Sequence, residues 1–130
     1  MTPFALFLER IRRSRRLQQK QLAVDLGIQA SYLSLLEKGR KSPPSKAVLE
    51  KLINVLGLNP EEQAELWICV EQSQRTLQLP DDMDVMEYQM INELRKQLGQ
   101  LSVEQITIIL NVLALNCGKT HQIPIRRTTM

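Results

Sequence analysis

The sequence predicts an all-α protein of seven helices, and three observations carry that reading. Apolar residues recur at three- and four-residue spacing along most of the chain, which gathers them on single helical faces. Cap and stop residues punctuate that spacing: Thr2-Pro3, Gly27, Ser45, Gly57, Asn59-Pro60, Gly99 and Ser102. Between Gln19 and Lys38 two short apolar sets meet at a glycine, the pattern of two helices crossing at a tight turn.

The first helix opens on Thr2 as cap with Pro3 at its first position, and Phe4, Phe7, Leu8 and Ile11 form its inward face. Arg10, Arg12, Arg13, Arg15 and Arg16 crowd its end. Cations near a helix C-terminus complement its dipole, but five in seven residues exceed that need. The second helix begins at Gln19, with Leu22 and Leu26 on one face and Ala23 where a neighbouring helix crosses closely. Gly27 turns the chain into the third helix, whose inward set is Leu33 and Leu36 while Gln29, Ser31 and Ser34 face outward. Pro43-Pro44 stops any helix. Ser45 caps the fourth, which carries Val48, Leu49, Leu52, Ile53 and Leu56 and ends at Gly57. Asn59-Pro60-Glu61-Glu62 starts the fifth, which runs to about Gln74 with Leu66, Trp67 and Val70 apolar.

Leu79-Pro80-Asp81-Asp82 interrupts the pattern. A sixth helix follows over roughly Asp84 to Leu98, striped by Met86, Met90, Ile91, Leu94 and Leu98. Gly99 ends it, and Ser102 with Gln105 suggests a capping box for a seventh, reaching about Asn116. The seventh is apolar almost all round and so requires burial on most sides. A two-helix appendage cannot supply that alone. Either a symmetric partner covers it or it packs onto the first five helices.

The stretch from Gln19 to Lys38 resembles the helix-turn-helix of the Cro/C1 (XRE) family of phage repressors and related bacterial regulators. Gln19 matches the Gln that opens the family's motif, and Ala23, Gly27, Leu33 and Leu36 match its small, glycine and apolar positions. Glu37-Lys38-Gly39-Arg40 matches its Glu-x-Gly-basic close, Pro44 the proline that follows, and Leu49, Leu52 and Leu56-Gly57 the next helix. The likeness spans roughly residues 4 to 58. Gln18 departs from it, because the family usually places Ser or Thr at this cap; the loss costs about 0.5–1 kcal/mol.

The resemblance implies a five-helix repressor-like DNA-binding domain over residues 1–76; beyond it the residue pattern itself gives a linker over 77–83, a helical hairpin expected to dimerise over 84–117 and a mobile tail over 118–130. By the family's pattern Gln29, Ala30, Ser31 and Ser34 read bases in the major groove, with Tyr32 and Leu35 at the margins. Gln pairs with adenine, Ser bonds several base edges and Ala meets a thymine methyl. No Arg on this helix grips guanine, so groove shape contributes much of the specificity. Leu35, polar in some family members, either packs or touches a thymine methyl. Arg13 and Arg16 at the end of the first helix, Gln19 at a helix start, the loop residues Lys38, Arg40 and Lys41, and Lys46 are the expected phosphate contacts. Trp67 is either a core residue or a dimer anchor. Ile91 and Leu94 of the sixth helix, and Ile106, Ile109, Leu110 and Leu113 of the seventh, are the expected dimer interface.

Charge agrees with that division. Residues 1–60 hold 11 Lys/Arg against 4 Asp/Glu (+7), and residues 61–130 hold 6 against 10 (−4). A basic first half suits a polyanion and an acidic second half does not. The reading is therefore a DNA-binding transcriptional regulator, a homodimeric repressor on a palindromic double-stranded operator, acting in the cytoplasm. The alternative is an antitoxin-like autoregulator whose C-terminal half binds a protein partner. An enzyme is not expected: His121 lies in the tail, Cys69 on an apolar helix, and there is no Ser/His/Asp grouping or Gly-rich phosphate loop. Cys69 and Cys117 lack paired spacing, so neither a metal site nor any cofactor is expected. No apolar run approaches the ~18 residues of a membrane span.

Overall fold

A computed structural model describes residues 1–115 of the chain. Cys117, the expected helix end near Asn116 and the residues expected to form a tail, His121, Arg126 and Arg127 among them, lie outside the described residues. Those described are all-α, in seven helices: α1 (Pro3–Ser14), α2 (Gln19–Leu26), α3 (Ala30–Glu37), α4 (Lys46–Leu56), α5 (Pro60–Gln72), α6 (Val85–Gln97) and α7 (Val103–Ala114). The chain divides into two units between Gln78 and Leu79. None of the described helices is long and apolar enough to cross a membrane.

In the first unit, local chemistry sets the helix ends. Thr2 accepts from the Ala5 N–H at 3.1 Å, and Asn59 and Glu62 close a reciprocal capping box on α5. Gln18 makes no side-chain cap bond to α2. Gly27 sits at φ +72° between α2 and α3, a conformation that costs glycine nothing. α1 packs on α3 and α5, and α2 on α3 and α4. The helices enclose one core: Phe4, Phe7, Leu8 and Ile11 from α1, Leu22, Ala23 and Leu26 from α2, Leu33 and Leu36 from α3, Leu49, Leu52 and Leu56 from α4, then Leu58 and Leu66. Both phenylalanines are in it. Trp67 is not: it is 38% exposed, on the outer side of α5.

α5 stops at Gln72, short of the expected Gln74, because Ser73 has another task. Buried to 3% exposure, its Oγ accepts from the Phe4 N–H at 2.8 Å and donates to the Cys69 carbonyl at 2.6 Å. Two residues on, Arg75 Nη1 donates to the Gly39 carbonyl at 3.0 Å. Gly39 itself has φ +73°, and a Cβ there would lie 2.9 Å from the Thr2 backbone nitrogen. The loop after α3 is thus held between the first two residues and the segment after α5.

The second unit is built differently. Asp84 and Glu87 form a capping box on α6, and Ser102 and Gln105 form one on α7. Gly99, at φ +88°, turns the chain between them. Neither helix has a buried residue. Ile91 and Leu94 are half-buried, and Ile109 is 37% exposed. α6 and α7 do not pack closely along their lengths. An open cleft of about 430 Å³ separates them, lined by apolar side chains that include Met90, Leu94, Ile109, Val112 and Leu113. Among the described residues of this unit, nothing supplies the burial that α7's composition requires.

Candidate nucleic-acid interface

The site is organised by a buried carboxylate. Glu37 ends α3, and Arg12 reaches it from α1 by two parallel bonds, Nε to Oε2 at 2.7 Å and Nη2 to Oε1 at 3.0 Å. Their side chains are 4% and 10% exposed. The Arg12 Nη1 donates to the Leu17 carbonyl at 2.8 Å, and Gln19 Nε2 donates to Glu37 Oε1 at 2.9 Å. The hydrogen bond to Glu37 holds Arg12 more firmly protonated than an ordinary guanidinium, outweighing the opposing cost of burial. These bonds bring the end of α1, the start of α2 and the end of α3 to one rim.

That rim sorts the arginine cluster. Arg12 is structural. Arg15 donates to the Leu56 carbonyl at 3.0 Å and pairs with Glu62 at 2.8 Å, tying α1 to the end of α4 and the start of α5. The Arg15 hydrogen bond, followed by the Asn59 N–H, holds Glu62 below the usual carboxylate range. Arg10 pairs with Glu65 at 2.6 Å and lies over the Phe7 ring. Arg13 is exposed, pairs with Glu9 at 3.2 Å and lines the groove between α1 and α5 with Leu6 and Arg10, so the Glu37 network does not gather it to the rim. Arg16 is exposed and makes no side-chain bond among the described residues. It also holds φ +58°, the one non-glycine there with a left-handed backbone, where Leu17 N–H closes back on the Arg12 carbonyl at 3.2 Å. Arginine is disfavoured in that conformation by about 1 kcal/mol.

Four further expected phosphate contacts make no ion pair among the described residues. Lys38, Arg40 and Lys41 are exposed on the loop that leaves α3, and Lys46 is exposed at the first position of α4. The Arg40 N–H closes on the Leu35 carbonyl at 3.0 Å and the Gly39 N–H on the Leu36 carbonyl at 3.1 Å, fixing the loop's departure. Gln19 uses its side-chain amide on Glu37, which leaves its backbone N–H at the helix start as the group that could meet an anion.

At the other end of α3, Gln29 is the cap residue without a side-chain cap bond, and Gln29, Ala30 and Ser31 are all exposed. Ser34, one turn later, is half-buried. Tyr32 packs against the core. Leu35 is half-buried and outside the set packed on the core, so it lies at the margin of the exposed strip. The arrangement is an exposed helix start bearing amide, methyl and hydroxyl groups, with unpaired cations at the helix's far end. Sequence reasoning missed the Arg12–Glu37 pair and the Arg75 tie to Gly39; the Glu in the motif's close was the one visible sign of the former.

No group of three His, Cys, Asp or Glu among the described residues is placed to hold a metal. Burial, with Glu65 adding to it, pushes the half-buried Cys69 thiol up.

A family model described as a helix-turn-helix domain matches residues 3–66. The chain is also 41% identical over 56 residues to a protein of Bacillus subtilis (strain 168) named as an uncharacterized HTH-type transcriptional regulator, RghRB. The match covers 43% of this chain and 40% of that protein, so the chain spans less than half the length of the relative it matches. No solved structure matches the chain.

Proposed function

We propose, from the XRE-type helix-turn-helix match of residues 3–66, that this protein is a cytoplasmic transcriptional repressor binding a palindromic DNA operator as a homodimer. The observation that carries the reading is the rim around Glu37, which sets unpaired cations beside a helix whose exposed start carries Gln29, Ala30 and Ser31. The cations position the protein on phosphates, and the polar start of α3 reads base edges. Two copies would place their α3 helices in major grooves about 34 Å apart. The RghRB relative is named as a transcriptional regulator, which agrees with this class.

Selection of bound duplexes from a random pool at near-physiological salt tests the reading. An enriched palindrome with half-sites about one helical turn apart is the expected result. Salt-sensitive binding without enrichment would favour the antitoxin-like alternative, with a protein partner on the C-terminal half. On the selected sequence, Gln29→Ala should cost about 1–3 kcal/mol while leaving random-sequence binding nearly unchanged. Equal losses on both would remove Gln29 from the reading residues.

Arg16 gives a sharper prediction because strain and function oppose there. Arg16→Gly is expected to stabilise the fold by about 1 kcal/mol and yet to weaken DNA binding, lowering the salt slope by about one. Thermal unfolding and binding titrations read the two effects separately. Loss of stability, or unchanged binding, would contradict this role.

A further inference from the structure

We propose that the cleft between α6 and α7 receives helix α7 of a second copy, so that two hairpins interlock, each gripping the other's last helix. The inference rests on the homodimer proposed above and names the surface that makes it.

Three observations support this pairing. Both helices have complete capping boxes yet contain no buried residue. A two-helix segment of this size cannot build a core alone and needs an external one. The exposed large apolar side chains of α6, α7 and their flanks, at 37% to 75% exposure from Val85 to Leu115, present on the order of 1,000 Å² per copy, against ~800 Å² from each partner in a stable interface.

The second observation is the distribution of those side chains round α7. Ile108 and Val112 form one flank, Ile106 and Leu110 the other, with Ile109 and Leu113 between. All six are exposed. The first flank lines the wide cleft, and the second lines a separate recess near the turn, together with Leu98 and Gly99. A flat face-to-face contact would cover one flank and leave the other in water. Insertion between the two arms of an open hairpin covers both. A second copy has the matching arms, and a two-fold axis makes the exchange mutual.

Charge is the third. The described part of α7 carries a single charge, Glu104, and the cleft's lining a single one, Glu93. Two such surfaces meet without rows of like charge, and neither offers the charges that would select an acidic or basic partner.

The test is sedimentation equilibrium on the full chain, comparing the parent with Val112→Asp on one flank, Leu110→Asp on the other, and Trp67→Ala on α5. The thermal transition of the helix-turn-helix unit serves as the folding control. The expected result is a dimeric parent and Trp67→Ala variant, with both Asp variants dissociating at least about 100-fold more readily and the transition unchanged. Dissociation by one flank variant alone would overturn insertion in favour of flat pairing. Persistence of both dimers would place the contact elsewhere, and loss through Trp67→Ala would place it on α5. A monomeric parent at tens of micromolar would overturn self-pairing altogether. Selection of bound DNA by the parent is scored separately: interlocking without selection fails the operator reading alone, and selection by a dimer that survives both Asp variants fails the interlock alone.

Discussion

Glu37→Ala is expected to lower the unfolding free energy of the first unit by about 3–5 kcal/mol, measured by chemical denaturation followed by helix signal. Removing the carboxylate leaves the guanidinium of Arg12, whose side chain is only 10% exposed, without its partner. The Gln19 amide loses its acceptor in the same step. Small domains hold only about 5–15 kcal/mol in all, so the variant sits near the edge of folding. Two controls separate burial from mere pairing. Arg10→Ala removes a shorter ion pair, at 2.6 Å, whose side chains are 56% and 48% exposed, and should cost no more than about 1 kcal/mol. Arg12→Met with Glu37→Leu removes both buried charges and should recover most of the loss. A Glu37→Ala cost no larger than that of Arg10→Ala would contradict the view that this network holds the rim together.

The second large effect is on salt. Arg16, Lys38, Arg40, Lys41 and Lys46 are exposed and make no ion pair among the described residues. If each displaces a counterion, every bound copy contributes a slope of about −4.5 to the plot of log affinity against log salt concentration. Raising salt from 50 to 200 mM then weakens binding by roughly 500-fold for one copy, and by on the order of 10⁵ for a pair bound together. Titrations at four or five salt concentrations measure it. A slope near zero would contradict the phosphate assignments. A slope of about −9 on the selected operator, falling to half that in a dissociated variant, would count the copies on DNA without reference to their mass.

The sequence revealed most where the determinant is local. Thr2, Ser45, Asn59 and Ser102 cap their helices as read, because a cap bond spans only three residues. Gly27 marks the motif's turn for the same reason. The end of α5 was misplaced because Ser73 answers to Phe4, 69 residues away, and no periodicity encodes that. The arginine cluster illustrates the same limit within a single segment. Five similar cations look alike in sequence. Their partners Glu65, Glu37 and Glu62 are 55, 25 and 47 residues distant and settle which ones the fold consumes. Gln19 is a milder case: its place at the start of α2 was legible, but the direction of its amide was set by Glu37, 18 residues on.

The bonds of Ser73 and Arg75 also govern how the protein can be divided. The helix-turn-helix match ends at residue 66 and α5 ends at Gln72, and either looks like a natural place to cut. A fragment stopping at either would strand the Phe4 N–H in a buried setting without its side-chain acceptor, and would release the Gly39 loop from Arg75. The smallest piece that keeps the loop after α3 in order therefore includes Arg75, three residues short of the boundary between the units.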